Sequence, residues 1–440
     1  MRNLLSLSLT GSLTLLSGCA RESQITCMFD LSGPRATVDE AAWRGAQLTR
    51  EMPRPEWAGQ RKLDWSRSES FMDFPDRLWP REVQAQEARW ERAEFAAKPA
   101  PTTTEGLRLA TWRDRGSQIV IGYSQPDFSA RGIAESSDAA QSNAAPSLVV
   151  RIIDPTSPTR GDHGAFFVSV ADDAQAVAAA EHMMDHWGGR CAIAVDFQDQ
   201  RMHALAQHLT HALQALGGSA VAVVDVRSGD FARSLQETIE AHTDIRSIYA
   251  AIGSDLVPSV LPRIREACPE LPIMGCETLD VPATDIAING ATSEVYYSAQ
   301  AWFGDDAAIE STRFASYYRM TYGQEPTAEA ALAFDAANIA LFAYVKALRS
   351  DPSERPSGAA LAYEIESLVS FPGATGRISY RHGAVPMKDV WIVRVRDGKR
   401  SLANSVLADR RKAYRDSDLV SVPSDATESI EQSSPRSENE

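Results

Sequence analysis

Basic residues, cysteines and long apolar runs are all scarce in this sequence, and each scarcity removes a class of function. Lys and Arg number 44 against 59 Asp and Glu, a formal charge of -15. Binding a phosphate backbone needs a concentrated basic face, so nucleic acid is not an expected partner. Only five cysteines are present, and none has the paired spacing of a zinc site. His182 and His186 stand at i and i+4 and share a helix face, yet Met183 replaces the glutamate of H-E-x-x-H and no third ligand follows. They read as packing or solvated side chains, as do His203, His208 and His211. Gly122-Tyr123-Ser124-Gln125-Pro126 has proline where a nucleophile elbow needs its second glycine, so hydrolase chemistry ranks last. A phosphate-cradling glycine-rich loop is also missing, and any ATP hydrolysis would fall to a partner. The expectation is a protein with no catalytic residue, metal or cofactor.

What the sequence does have begins at its front. Met1 and Arg2, the apolar run Leu4 to Leu16 and the small residues before Cys19 form a secretory signal. A membrane span needs about 20 apolar residues, and charge returns sooner, at Arg21 and Glu22. The ending Leu16-Ser17-Gly18-Cys19 resembles the lipobox of bacterial lipoproteins, which implies a diacylglycerol on Cys19 that holds the protein to a membrane. Ala20 stands where the inner-membrane retention signal of such lipoproteins has Asp, which leans toward the outer membrane. Of the other cysteines, Cys27 and Cys191 lie in apolar strand-like runs and read as buried thiols. Cys268 and Cys276 are near enough to close a small disulfide loop in an exported protein, or to be two more free thiols.

From Gln24 onward, short β-branched runs alternate with helical patterns, the signature of parallel α/β units. In the middle of the chain the reading is helix Asp173 to Trp187, strand Cys191 to Val195, helix Arg201 to Leu216 and strand Ala220 to Val226. It continues with helix Phe231 to Ala241, strand Ser247 to Ala251, helix Leu256 to Ala267 and strand Pro272 to Gly275. Helices Asp305 to Tyr322 and Ala328 to Leu348 follow, then strands Gly376 to Tyr380 and Asp389 to Arg396, the last expected strand. In open α/β sheets ligands settle beyond the carboxyl ends of strands, which singles out the loops after Leu31, Gly122, Ile153, Val195 and Gly275. Residues 52–104 break the alternation with charge, proline and Trp57, Trp65, Trp79 and Trp90, and read as a solvated insert or a docking surface. A strand at Lys62 to Ser68 and a charged helix at Pro80 to Ala97 are expected within it. Beyond 402, Ser, Pro and acids such as Asp416, Asp425 and Glu438 form a tail that cannot bury a core.

Five stretches follow one another along the chain: "FDLSGP" (Phe29 to Pro34), "QIVIGYSQPD" (Gln118 to Asp127), "DPTSP" (Asp154 to Pro158), "YYRMTYGQEPTAEAALAFDAANIAL" (Tyr317 to Leu341) and "ATGRISYRHG" (Ala374 to Gly383). In order and spacing they resemble the branched-chain amino-acid type of periplasmic solute-binding protein, the receptor component of an ABC importer. The resemblance implies an α/β fold of two doubly wound parallel-sheet lobes joined by three crossovers, with a solute held between them. After the signal (1–18) and a linker (19–24), lobe one would comprise 25–168 plus 290–372 and lobe two 169–289 plus 376–402, with 403–440 as the tail.

By the same resemblance Ser32, Ser124, Asp154 and Thr156 would cradle a solute carboxylate, and Glu277 would meet an ammonium. Phe197 and Gln198 replace the family's Tyr-Gly pair at an aromatic lid. Asp154 replaces a small neutral residue and would repel a nearby carboxylate, so an amide, polyol, nucleobase-like compound or cation would tolerate it better than a plain amino acid. The expected partners are a small polar solute, the membrane reached by the lipid, and an ABC permease or sensor. The alternative on the same fold is an envelope interaction or regulatory lipoprotein.

Overall fold

The computed structural model describes residues 24–28, 36–51, 117–122, 148–151, 165–287, 294–350, 356–380 and 385–414. In chain order, β1 (Gln24–Met28), β2 (Ser117–Gly122), β3 (Leu148–Arg151) and β4 (Ala165–Phe167) form a four-stranded sheet in that order, every neighbour parallel. α1 (Ala36–Glu51) follows β1. The chain then leaves this sheet and builds a second one by regular alternation. Its units are α2 (Asp172–Trp187), β5 (Arg190–Val195), α3 (Gln200–Ala215), β6 (Ser219–Asp225), α4 (Phe231–Ala241), β7 (Ser247–Ala251), α5 (Val257–Ala267), β8 (Ile273–Gly275), α6 (Pro282–Ala287) and β9 (Val295–Ala299). Strand order runs β9-β8-β7-β5-β6, all parallel, so the chain reverses direction across the sheet between β5 and β7.

Local chemistry explains where these elements start and stop. Asp199 caps α3, its carboxylate accepting the backbone N–H groups of Arg201 and Met202 at 2.9 and 3.2 Å. Gly188 ends α2 in the left-handed region at φ 77°, which a side chain would resist. The alanines of α2 (Ala174, Ala176, Ala178, Ala179, Ala180) are wholly buried, so this helix sits close on the sheet with α3, over Ile193, Val195 and Met274. α4 and α5 cover the opposite face with Phe231, Leu235, Leu261 and Ile264. Helices on both faces are what a parallel sheet requires.

α7 (Ile309–Tyr322), α8 (Ala328–Ser350) and α9 (Gly358–Glu366) return to the first sheet. α8 packs on α1 through Ala42, Ala46, Leu332, Ala336 and Ala340. The approach is closest at Gly45, where a Cβ would stand 1.9 Å from the Ala330 carbonyl oxygen. A hairpin of β10 (Phe371–Gly373) and β11 (Gly376–Ser379) then leads to β12 (Met387–Arg396), antiparallel to β9, and β13 (Lys399–Leu407) pairs with β12.

The chain thus passes between the two sheets three times, and the passages are tied together. Val170 N–H donates to Gln300 Oε1 at 2.9 Å while Gln300 Nε2 donates to Val170 O at 3.1 Å. Asp335 of α8 accepts the backbone N–H groups of Ala374 and Thr375 and the Thr375 hydroxyl at 2.6, 2.9 and 2.5 Å. Lys388 of β12 donates to Thr375 Oγ1 and, at 3.2 Å, to Val168 O. Asp335, Thr375 and Lys388 are all fully buried.

Of the two readings left open for Cys268 and Cys276, the structure has free thiols, Cys268 buried on the α4–α5 face of the second sheet and Cys276 on the α2–α3 face. Several expectations are corrected. β9, placed in the first lobe by the 290–372 boundary, is hydrogen-bonded into the second sheet, so the crossing comes at Gln300. β12 is not the last strand, and the ordered chain continues past 402: β13 is an edge strand whose polar side chains face outward. After it, Tyr414 lies against the rings of His208 and His211, and Arg410 pairs with Asp173. The helix expected from Asp305 starts at Ile309, since Trp302 Nε1 and Asp306 Oδ1 close a turn at 2.6 Å just before it. The insert at 52–104, with its expected strand and helix, lies outside the described residues.

Candidate functional site

The reversal between β5 and β7 leaves a crevice beyond the strand ends, the usual ligand position in an open α/β sheet. The residues that follow β5, β7 and β8 converge there. Asp196, after β5, is buried and pairs side-on with Arg227, which follows β6: Nε to Oδ1 and Nη2 to Oδ2 are both 2.7 Å. Arg227's hydrogen bonds hold the Asp196 carboxyl below the ordinary carboxylate range. Asp196 also accepts the backbone N–H of Gln198 at 3.0 Å, which sets the turn carrying Phe197 and Gln198. Phe197 is 37% exposed, unusual for a large aromatic side chain, and its ring stands nearly perpendicular to that of His203, the centroids 5.1 Å apart.

A second cluster lies beside this turn. Arg201, in the first turn of α3, grips Asp172 of α2 side-on, Nε to Oδ2 at 3.0 Å and Nη2 to Oδ1 at 2.7 Å. The same Nη2 donates to Glu277 Oε1, on the turn after β8. Two-point pairing of this kind is the strong form of a charge-assisted hydrogen bond. Burial pushes the Asp172 carboxyl up to about 7, against the opposing pull of Arg201. The guanidinium itself stays charged, its pKa raised by Glu277 and Asp172 against the opposing effect of burial. Asp172 is almost sealed, with 4% of its side chain exposed, while Arg201 and Glu277 each keep 26%. The cluster therefore has a closed floor and an accessible rim. Glu277 Oε2 is buried and lacks a hydrogen-bond partner among the described residues.

Of the residues anticipated from sequence, the fold places Phe197 and Gln198 after β5 and Glu277 after β8, the two strands that flank β7. Cys19, Ser32, Ser124, Asp154 and Thr156 lie outside the described residues. Asp172, Arg201, Asp196 and Arg227 were not anticipated. Asp172 stood one residue before the helix expected from Asp173, and Arg201 showed only as a helix start, 76 positions from Glu277. Among the described residues no group of three or more His, Cys, Asp or Glu side chains could hold a metal ion. His182 instead packs, its ring stacked on His186 at 4.1 Å and edge-on to Trp187 at 5.2 Å. Among the described residues no helix is long and apolar enough to cross a membrane.

Two α/β sheets with three tied passages between them and a polar cluster at the strand ends define a two-lobed solute-binding fold. The family model described as periplasmic binding protein matches residues 112–400. The chain belongs to that family, the periplasmic binding proteins. Solved structures agree on the fold. A Rhodospirillum rubrum protein assigned to branched-chain amino acid ABC transport is 18% identical with a TM-score of 0.64, over 87% of this chain and 99% of that one. The branched-chain amino acid substrate-binding protein of Streptococcus pneumoniae, solved with isoleucine, is 16% identical with a TM-score of 0.59, over 88% and 99%. A solute-binding protein of R. palustris, solved with benzoate, is 15% identical with a TM-score of 0.57, over 88% and 96%. Among curated proteins no sequence match was found.

Proposed function

We propose that this protein is a lipid-anchored receptor that captures a small polar solute, amino-acid-like or amide-like, between its lobes and presents it to an ABC permease or a sensor. The carrying observation is the accessible rim of Arg201 and Glu277 beside the half-exposed Phe197, at the point where the strand order reverses. Relatives solved with isoleucine and with benzoate support a small solute bearing a carboxylate. On the opposite lobe, Ser32, Ser124, Asp154 and Thr156 are the residues proposed to meet it. The lipid would sit on Cys19, and Ala20 favours the outer membrane.

Thermal unfolding of the exported domain against amino acids, amides, polyols, nucleosides and aromatic acids tests the reading. A ligand that binds only the folded form raises the midpoint by mass action. At least one class should do so, and the same compound should be released from purified protein on denaturation. If none shifts the midpoint, the envelope-interaction reading takes its place. The anchor is tested separately: labelled fatty acid should enter the wild-type protein and not Cys19→Ser.

A further inference from the structure

We infer that Arg201 sets the class of solute accepted by the second lobe: it fills the place where an amino group would meet Glu277 and Asp172, and leaves room for an oxygen acceptor, a carbonyl or carboxylate, instead. This rests on the proposed reading of the cleft as a solute site and narrows it.

The hydrogen-bond inventory of the cluster points this way. A guanidinium has five N–H donors in a fixed plane. Nε and one N–H of Nη2 serve Asp172, and the other N–H of Nη2 serves Glu277. Nη1 has no protein acceptor among the described residues, so two donors remain. On the acid side both oxygens of Asp172 and Oε1 of Glu277 are already engaged. Glu277 Oε2 is unpartnered, but it is shielded from solvent. Each engaged carboxylate oxygen keeps a second lone pair, whereas both N–H groups of Nη1 are without an acceptor among the described residues, so the larger unmet capacity of the cluster is that of a donor.

Charge reinforces the same preference. Two carboxylates about one guanidinium would carry a single net negative charge, and the upward shift of Asp172 brings the group close to neutral near pH 7. An incoming ammonium would gain little attraction and would lie against a cation that is already hydrogen-bonded to the acid it needs. An acceptor oxygen meets free N–H groups without displacing anything. Arg201 is placed for this by its fold position: Asp199 caps α3 and directs the first turn of the helix, with Arg201 in it, to the strand ends.

The test compares matched pairs that differ only at the amino-bearing carbon, leucine with 4-methyl-2-oxopentanoate and phenylalanine with phenylpyruvate, together with benzoate. Affinities are measured by calorimetry on wild type, Arg201→Gln and Arg201→Lys, each first shown to melt cooperatively. Wild type should prefer the oxo acid or benzoate by tenfold or more. Arg201→Gln, which leaves Glu277 without its cation, should narrow or invert that ratio. Arg201→Lys, which keeps a positive charge, should still reject the amino acid. Wild type binding the amino acid as tightly as its oxo acid, or a ratio unmoved in Arg201→Gln, would overturn the inference while leaving a solute-binding protein. Binding of polyols or nucleosides alone would do the same. If no probe or panel compound binds any form, the solute-binding reading itself fails, and the inference with it.

Discussion

Two acid–base clusters of this molecule differ in one respect, and the difference separates architecture from function. Between the lobes, Asp335, Thr375 and Lys388 are sealed from solvent, and each of their polar atoms has a partner. At the strand ends, Asp172, Arg201 and Glu277 keep an accessible rim, one orphaned oxygen and unused N–H donors. A buried polar group left unsatisfied is costly, so a network closed on itself can only hold parts together. An open one retains the capacity to bind. Burial draws Lys388 down to about 8 and raises Asp335, yet each stabilises the other's charged form.

Breaking the closed network should have the largest effect. Asp335→Ala removes the acceptor for two backbone N–H groups and leaves the Lys388 charge unpaired, at a cost of about 3–5 kcal/mol. Urea unfolding measures it, and a loss under about 1 kcal/mol would mean that the network is not structural. His182 extends the comparison to a buried group with no partner on either ring nitrogen among the described residues. Burial, aided by the nearby His186 and opposed by Asp185, lowers its pKa to about 4. The unfolded chain therefore takes up the proton first as pH falls. Stability from this residue is complete above about pH 6.5 and declines toward pH 4, by at most about 3 kcal/mol. Unfolding at pH 7 and pH 4.5 should show the loss in wild type and a smaller one in His182→Phe; equal slopes would contradict it.

Gly45→Ala asks whether the closed network depends on the seating of its helix. The added methyl collides with the Ala330 backbone and must push α8, which carries Asp335, off α1. A loss of about 1–3 kcal/mol is expected, and an unchanged melting midpoint would show that the two helices yield freely. Arg201→Gln should disturb stability least. Asp172 is buried but can take up a proton when its partner is lost, so the cost should stay near about 1 kcal/mol, that of a lost hydrogen bond and not that of a stranded charge. A loss as large as that of Asp335→Ala would make the strand-end cluster structural too.

Much of the second lobe was legible in the sequence. α4 and β7 lie at the expected residues, because Phe231, Leu235 and Ile239 repeat with helical period and Ser247 to Ala251 is a short run buried throughout. β13 escaped because only Val406 is buried along it, so its polar pattern resembles a tail. β9 escaped because its pairing partners, β8 and β12, are remote in sequence and nothing local distinguishes Val295 to Ala299. Phe197, Gln198 and Glu277 were singled out by the family resemblance, and they follow strands that the sequence had already marked. The acid–base cluster was invisible because Asp172, Arg201 and Glu277 come from three separate α/β units, and only the parallel sheet aligns their ends.

The reciprocal pairing of the Gln300 amide with both polar atoms of Val170 has a mechanical corollary. Two chain crossings pinned in this way, with Lys388 holding Val168 to β12, can bend together but resist sliding past one another. Rotation about a single axle is then the soft motion and shear the stiff one. Jaws mounted so would meet a guest in one repeatable alignment each time they shut.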